Sequence, residues 1–441
     1  LICISIALIH LTPDGLVRGT FVPLKQAMKN IKESNKAVGT ILAFCLIPIT
    51  GFALDIYIPS LPDMSAKLGA TPAAIQLSIS IFLATYGIGQ LLVGGVLDSY
   101  GRFMPNIIAL AGFSVASFVI ANTGNLQMIY YMRAIQGLTS AVIVVSKRSF
   151  FFDLFSGEKL KHYTSLFSVI WSAAPIIAPF AGGYLQTHFG WQSNFYFLGC
   201  FGLVFLLLEL IFSGETIAMK VPFRLKTIGK AYRLMIGTWD FTAGLFILGL
   251  SYGVLMIYNM SSPFLIEKVM HYPATVTGNC SMISGLAMLG GSLISKAVIS
   301  RPFFKRMFAA AVVQLALSGC LILLTLQVHN LYTLMAYVIL LHSSAGFIFN
   351  GMLAYCLTRF SQYGGMASGL TGGGYIISTS AFSFIVVKAI NINSQAWLGA
   401  GYTILILGVL VLVLRVKWIE RTTNTQQASH IEEQEVGLMM E

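Results

Sequence analysis

Charge is what this chain has least of. Asp, Glu, Lys and Arg make up 10% of its 441 residues, while 56% are hydrophobic. A water-soluble domain carries about 25% charged residues, so this chain cannot cover a folded surface that faces water on all sides. Clustered cysteine is missing as well. Cys3, Cys45, Cys200, Cys280, Cys320 and Cys356 stand singly, mostly inside apolar runs, with no CxxC spacing. That pattern excludes a disulfide framework and a thiolate metal site, and leaves small packing residues. A membrane-embedded enzyme would need His, Asp and Glu clustered within the apolar segments, and the sequence has no such cluster. The glycine-rich run "GLTGGGYIIS" lacks the strand–loop–helix setting of a nucleotide cradle and reads as a hinge or helix contact. No enzyme, no metal and no cofactor is expected.

What the sequence has instead is long apolar runs. Twelve windows stand out, roughly 37–58, 74–97, 105–122, 126–146, 164–186, 193–212, 237–259, 275–296, 308–327, 330–356, 364–387 and 394–414. Most reach the ~20 residues that cross about 30 Å of hydrocarbon at 1.5 Å per residue. They are apolar all round, unlike the alternating strands of a membrane barrel. The expected fold class is an all-α membrane protein with twelve transmembrane helices in two six-helix bundles.

The net charge of +11 is a topology signal and no nucleic-acid footprint. With the N-terminus in the cytoplasm, one side collects Lys25, Lys29, Lys32, Lys36, Arg102, Lys147, Arg148, Lys159, Lys161 and most of the remaining basic residues. The opposite loops hold only Lys67, Lys268 and Lys388. This positive-inside bias expects both termini in the cytoplasm and a multi-pass place in the inner membrane.

Residues 1–36 read as an N-terminal cytoplasmic segment, of which 1–27 read as an upstream extension, because Met28 opens the short basic lead "MKNIKESNK". A first bundle over 37–212 and a second over 237–414 are joined by a linker, 213–236. Its interleaved Lys, Arg, Phe, Leu and Ile expect an amphipathic segment on the inner leaflet. Residues 415–441 form a polar cytoplasmic tail. A faint echo, "LLVGGVLDSYGR" against "AMLGGSLISKAVISR", relates the halves and places a binding site between them near the midplane.

Four stretches carry the functional reading. "GGVLDSYGR" ends the second helix with Gly94, Asp98, Gly101 and Arg102, a tight turn with an ion pair at the membrane surface. "RAIQG" places Arg133, Gln136 and Gly137 inside the fourth. There an arginine costs ~2.5 kcal/mol or far more, and either snorkels to the headgroups or finds a buried partner. "SAAPIIAPFAGG" sets Pro175 and Pro179 one turn apart before Gly182 and Gly183, which either kinks the fifth helix or gives it directional meaning. "LDIYIPSLPDM" holds Asp55 and Tyr57. That acid either sits cheaply at the outer interface or faces a cavity and exchanges a proton.

Together these stretches resemble the major facilitator superfamily. Its loop pattern G-x-x-x-D-x-x-G-R is matched in register, with Ser99 and Phe103 at two usually basic positions. "RAIQG" is similar to the family's R-x-x-Q-G, and the proline pair resembles the motif of its exporting branches, with Ala178 in place of one glycine. Asp55, Tyr57, Pro59 and Pro62, with "GWQSNF" at 190–195, look like the Bcr/CflA type of drug:proton antiporter. The second acid that some members carry is replaced by Ile47. The resemblance covers roughly 37–417. It implies export of a small amphipathic compound against proton entry by rocking of the bundles, the loop locking them on the cytoplasmic side. Asp55 and Arg133 would then serve proton coupling.

Candidate cavity residues are Tyr57, Met256, Tyr258, Asn259 and Asn350, chosen as polar, aromatic or adaptable. His342 reads as a packing histidine or a proton shuttle, and Glu209 and Asp240 as interface anchors at helix ends. The expected partners are a small-molecule substrate, protons and the bilayer, with no nucleic acid, and the chain is expected to be a monomer. Competing readings are a dedicated exporter of a siderophore or other natural product, a proton symporter for an osmolyte or metabolite, and a non-transporting membrane receptor.

Overall fold

The computed structural model describes residues 30–217, 220, 225–325, 327–360 and 364–416. The proposed extension 1–27, part of the linker and most of the tail lie outside the described residues. Helices α1 (Lys36–Leu46), α2 (Ile49–Asp55) and α3 (Leu61–Lys67) form one broken span. The breaks follow proline: Pro48 caps α2, Pro59 lies in the 3₁₀ turn Ile58–Ser60, and Pro62 opens α3. This span runs Glu33–Lys67, so it continues well past Asp55, and the sequence window ending near 58 was too short.

Then follow α4 (Pro72–Tyr100), α5 (Phe103–Asn122), α6 (Leu126–Leu154), α7 (Gly157–Phe189) and α8 (Gln192–Phe212). The linker forms α9 (Leu225–Gly237). The rest comprises α10 (Trp239–Pro263), which runs into a π-helical turn Phe264–Val269, then α11 (Ala274–Ala297), α12 (Phe303–Thr325), α13 (Leu331–Arg359), α14 (Gly364–Ile390) and α15 (Gln395–Val416). Local chemistry sets several ends. Thr71 accepts from the Ala74 amide in front of Pro72, and Asn125 and Asn330 cap α6 and α13 in the same way. Gly101 ends α4 at φ 104°, a conformation that favours glycine.

Eleven of these segments are long and apolar enough to cross a membrane among the described residues. The segment expected as the fifth crossing is the 33-residue α7, which is not among the eleven. The α-helical architecture is as expected; eleven of the twelve expected crossings are counted among the described residues.

Helices α1–α8 form one half and α10–α15 the other. The halves meet where α7 lies along α11, α4 along α14, and α10 against the Ile58–Ser60 turn. The α10 contact and the glycine contacts of α7 with α11 lie toward the end carrying α3, called here the α3 end, while α4 and α14 touch from Ser80 and Ser380 on to Gly87 with Gly373 and Gln90 with Gly372. At the other end, the α9 end, α9 lies beneath α4 and α14: its Ala231 and Met235 are buried, and Tyr232 donates to the Leu91 carbonyl. Leu234 and Ile236 stay exposed beside Lys226, Lys230 and Arg233, the amphipathic pattern read from the linker.

Candidate functional site

The largest side chain with no exposure among the described residues is that of Arg133. It does not snorkel. Its Nη1 donates to the Ala53 carbonyl at 2.9 Å and to Gln136 Oε1 at 2.8 Å, and its Nε to the Ser78 carbonyl at 3.4 Å. Its guanidinium lies over the rings of Phe82, at 4.3 Å, and Tyr57, at 4.7 Å. Gln136 is held in turn by Ser117, and Gly137 lets α6 close on α4, where a methyl group would overlap Thr85 and the Phe82 carbonyl. Arg133 makes no ion pair among the described residues; carbonyls, Gln136 and aromatic faces surround its charge instead. Its Nη2 has no hydrogen-bond partner among the described residues.

Asp55 is 1% exposed at the end of α2. It is not an interface acid. Oδ1 accepts from the Asn259 amide of α10 at 3.3 Å, across the two halves, and Oδ2 has no partner among the described residues. Tyr57, two residues on, bonds Ser78 at 3.0 Å and packs on Phe195 of "GWQSNF". Thus the structure brings Asp55, Tyr57, Arg133 and Asn259 together. Met256, fully buried, lies one turn before Asn259 on α10.

Tyr258 is not part of this group. Its hydroxyl points to Met335 and its ring packs edge-on to His342 at 5.2 Å, so it belongs to the interior of the second half. Residues 256 and 259 share a helix face that 258 does not. Asn350 is half-buried on α13. His342 bonds Ser284 at 2.7 Å and Tyr402 at 3.2 Å through its two nitrogens, a satisfied packing histidine.

Three polar residues missed in the sequence complete the contact. In "IQLSISIF" at the start of α4, Gln76, Ser78 and Ser80 are all buried. Gln76 donates to the Met260 carbonyl at 2.7 Å, Ser78 supports Arg133 and Tyr57, and the Ser80 carbonyl accepts from Ser380 of α14. Their alternation within an apolar helix was the available signal.

The proline motif packs on both sides. Gly182 meets the Ile56 carbonyl and Gly51 meets Ala174, which seats the first span on α7. On the other side Gly183 and Pro179 face Gly278, and Pro175 faces Gly285 of α11. Pro179 has no amide hydrogen to offer the Pro175 carbonyl, and Gly285 lets α11 approach that carbonyl.

At the α9 end, Arg102 pairs with Asp98 at 2.7 Å and Asp153 at 3.2 Å. Burial works against its charge, but hydrogen bonds to Asp153 and Asp98 outweigh this and hold the guanidinium pKa above its ordinary value. Glu215 accepts from the amides of Arg102 and Phe103, capping α5 from the linker. All these groups belong to the first half or the linker's start. No ion pair crosses between the halves among the described residues. Gly94, expected to allow close helix approach, faces open space.

Glu209 is no interface anchor. It is fully buried and paired with Lys147 at 2.6 Å, with Asn106 beside it. Asp240 does anchor a helix end, accepting from Arg359 and Tyr355.

Apolar helices in two halves, joined face to face by buried polar contacts, define a polytopic membrane protein. The sequence model of the Major Facilitator Superfamily matches residues 43–383. The chain belongs to that superfamily, whose members are transporters and not enzymes. Among its relatives, the uncharacterized MFS-type transporter YdgK of Bacillus subtilis is 27% identical, covering 72% of this chain and 81% of that protein. Multidrug resistance protein D of Escherichia coli is 26% identical over 74% and 83% of the two chains. The bicyclomycin resistance protein homolog of Haemophilus influenzae is 24% identical over 73% and 81%. The crystal structure of nucleoside transporter NupG has the same fold, with a TM-score of 0.65 over 87% of this chain and 98% of that one, at 13% identity.

Proposed function

We propose that the protein exports small amphipathic compounds in exchange for protons, by alternating access. One observation carries this reading: a buried carboxylate, Asp55, held among the described residues by a single donor from the opposite half, two residues on from the Ala53 carbonyl that the guanidinium of Arg133 grips. An intramembrane acid of this kind binds and releases a proton as the halves move. The relatives named for bicyclomycin and multidrug resistance support a drug-like substrate.

In this reading α7 is the twelfth crossing, with bundles over 37–212 and 237–414 and the linker 213–236 between them. The α9 end and both termini lie in the cytoplasm, in keeping with the one-sided distribution of Lys and Arg. The α3 ends are closed and the carrier faces inward. The loop of Asp98 and Arg102 locks the halves only in the opposite state, which accounts for its ion pairs staying within the first half here. The proline motif, packed between the first span and α11, favours export over symport. The chain acts as a monomer on a small substrate and protons, without nucleic acid.

The test is in proteoliposomes with an imposed pH gradient, following internal pH as a lipophilic cation, a neutral drug and a siderophore are added in turn. Proton movement opposite to that of a lipophilic cation or neutral drug is expected. Response to the siderophore alone would move the assignment to a dedicated exporter, and co-directional movement would make it a symporter.

A further inference from the structure

The bond between Asp55 and Asn259 joins two halves that alternating access must separate. We propose that Asn259 is a latch: its amide holds the ionised Asp55 and so keeps the α3 ends shut until a proton or substrate takes the place of that bond. The proposal rests on the exchange reading above.

Three observations carry it. Asn259 supplies the one hydrogen bond Asp55 receives among the described residues, and Oδ2 has none. The next residue on α10 is gripped as well, since Gln76 donates to the Met260 carbonyl at 2.7 Å. Immediately beyond this double grip α10 changes character, with Pro263 and then the π-helical turn Phe264–Val269 that packs on α3. Such turns are frequent at functional sites and give α10 a place to bend.

The charge logic follows. A carboxylate accepts a stronger hydrogen bond when ionised. If the α3 ends parted with Asp55 ionised and still shielded from water, the acid would lose its one donor, so the empty carrier stays latched. Protonation weakens the acceptor, and a cationic or donor-bearing substrate replaces Asn259. Either event releases the same bond, and occupancy becomes the condition for reorientation. Tyr57 of its own segment and Tyr252 of α10 face the acid, with Arg133 of α6 stacked on Tyr57 and with Tyr375 of α14 and Tyr86 of α4 behind Tyr252. The α7 residues that meet this segment are Ala174 and Pro175 at Gly51 and Gly182 at Ile56, none of which titrates. Tyrosine and arginine ordinarily keep one protonation state near neutral pH, which leaves Asp55 as the group beside Asn259 that switches. Glu267 of the π-helical turn, held by Thr277 and facing Asp63 of α3, is a second acid at the α3 end, and the Asn259 variants, which leave it untouched, tell the two apart.

The test places spin labels at the exposed positions Ala66 and Lys268, one on each half at the α3 end, in a chain with its cysteines replaced, in lipid nanodiscs. With Asn259 present, the closed-to-open ratio at the α3 end should fall by about threefold or more from alkaline to acidic pH. Asn259→Leu should lose that dependence and open at alkaline pH, while Asn259→Gln, which keeps the donor, should retain it. Asn259→Asp sets a second carboxylate against Asp55 and should open the α3 end at alkaline pH, a result that does not depend on the leucine variant folding. An unchanged pH dependence in Asn259→Leu, or a closed Asn259→Asp, would overturn the latch. Substrate-driven proton flux by the same chain judges the exchange reading separately. Flux with an α3 end indifferent to position 259 removes the latch alone, and a working latch without flux removes the exchange reading alone.

Discussion

Arg133 shows how a single residue organises the first half. Its guanidinium ties α2, α4 and α6 through two backbone carbonyls and Gln136. A lysine has neither the planar fork nor the reach to serve these acceptors together. Arg133→Lys should therefore destabilise the protein by ~2 kcal/mol or more, as buried acceptors lose their donors, and thermal unfolding in detergent reads this directly. The Lys147–Glu209 pair makes a second prediction. Lys147→Met leaves Glu209 buried and unpaired and should cost about 3–5 kcal/mol, whereas Lys147→Met with Glu209→Leu should recover most of it. An equal loss in the double variant would mean the pair is not the source. Arg133 was legible because arginine deep in an apolar run is rare. Lys147 and Glu209 were not: each stands near the edge of its apolar window, and only the packing of α5, α6 and α8 turns those edges inward. Asp55 was ambiguous for a related reason, since three prolines hid the true length of its span.

At the scale of the element, α7 is a spacer with a tooth on each side. Gly182 receives the Ile56 carbonyl and Gly183 receives α11. A side chain at Gly182 overlaps backbone that cannot give way, so Gly182→Val should slow transport by about tenfold or more and raise the labelling of an α3-end cysteine. Gly94→Ala, facing open space in this state, should leave stability within ~0.5 kcal/mol. A large loss of stability there would mean that the helix packs more closely than described. The motif's glycines could be read from the sequence as contacts. Which neighbour each one meets could not, because segments apolar all round carry no face preference. The same limit misplaced Tyr258, whose ring packs on His342 inside the second half.

For the whole molecule, the architecture was legible in the apolar runs, and the family in four motifs. Eleven crossings are counted among the described residues, and α7, the segment expected as the fifth, is the apolar run that this count leaves out. The conformational state was beyond the sequence altogether, because it depends on which of two sets of contacts between the halves is made. The structure has the α3 ends joined through Asp55, Gln76 and Gly183, and each ion pair of the α9 end kept within one half among the described residues. The account of these facts is an exchanger whose proton passes through Asp55. The most direct measurement compares wild type with Asp55→Asn in proteoliposomes, following substrate-driven proton movement at equal protein incorporation. The account predicts that the variant loses proton movement while still binding substrate. Proton movement retained at the wild-type rate in Asp55→Asn would contradict it.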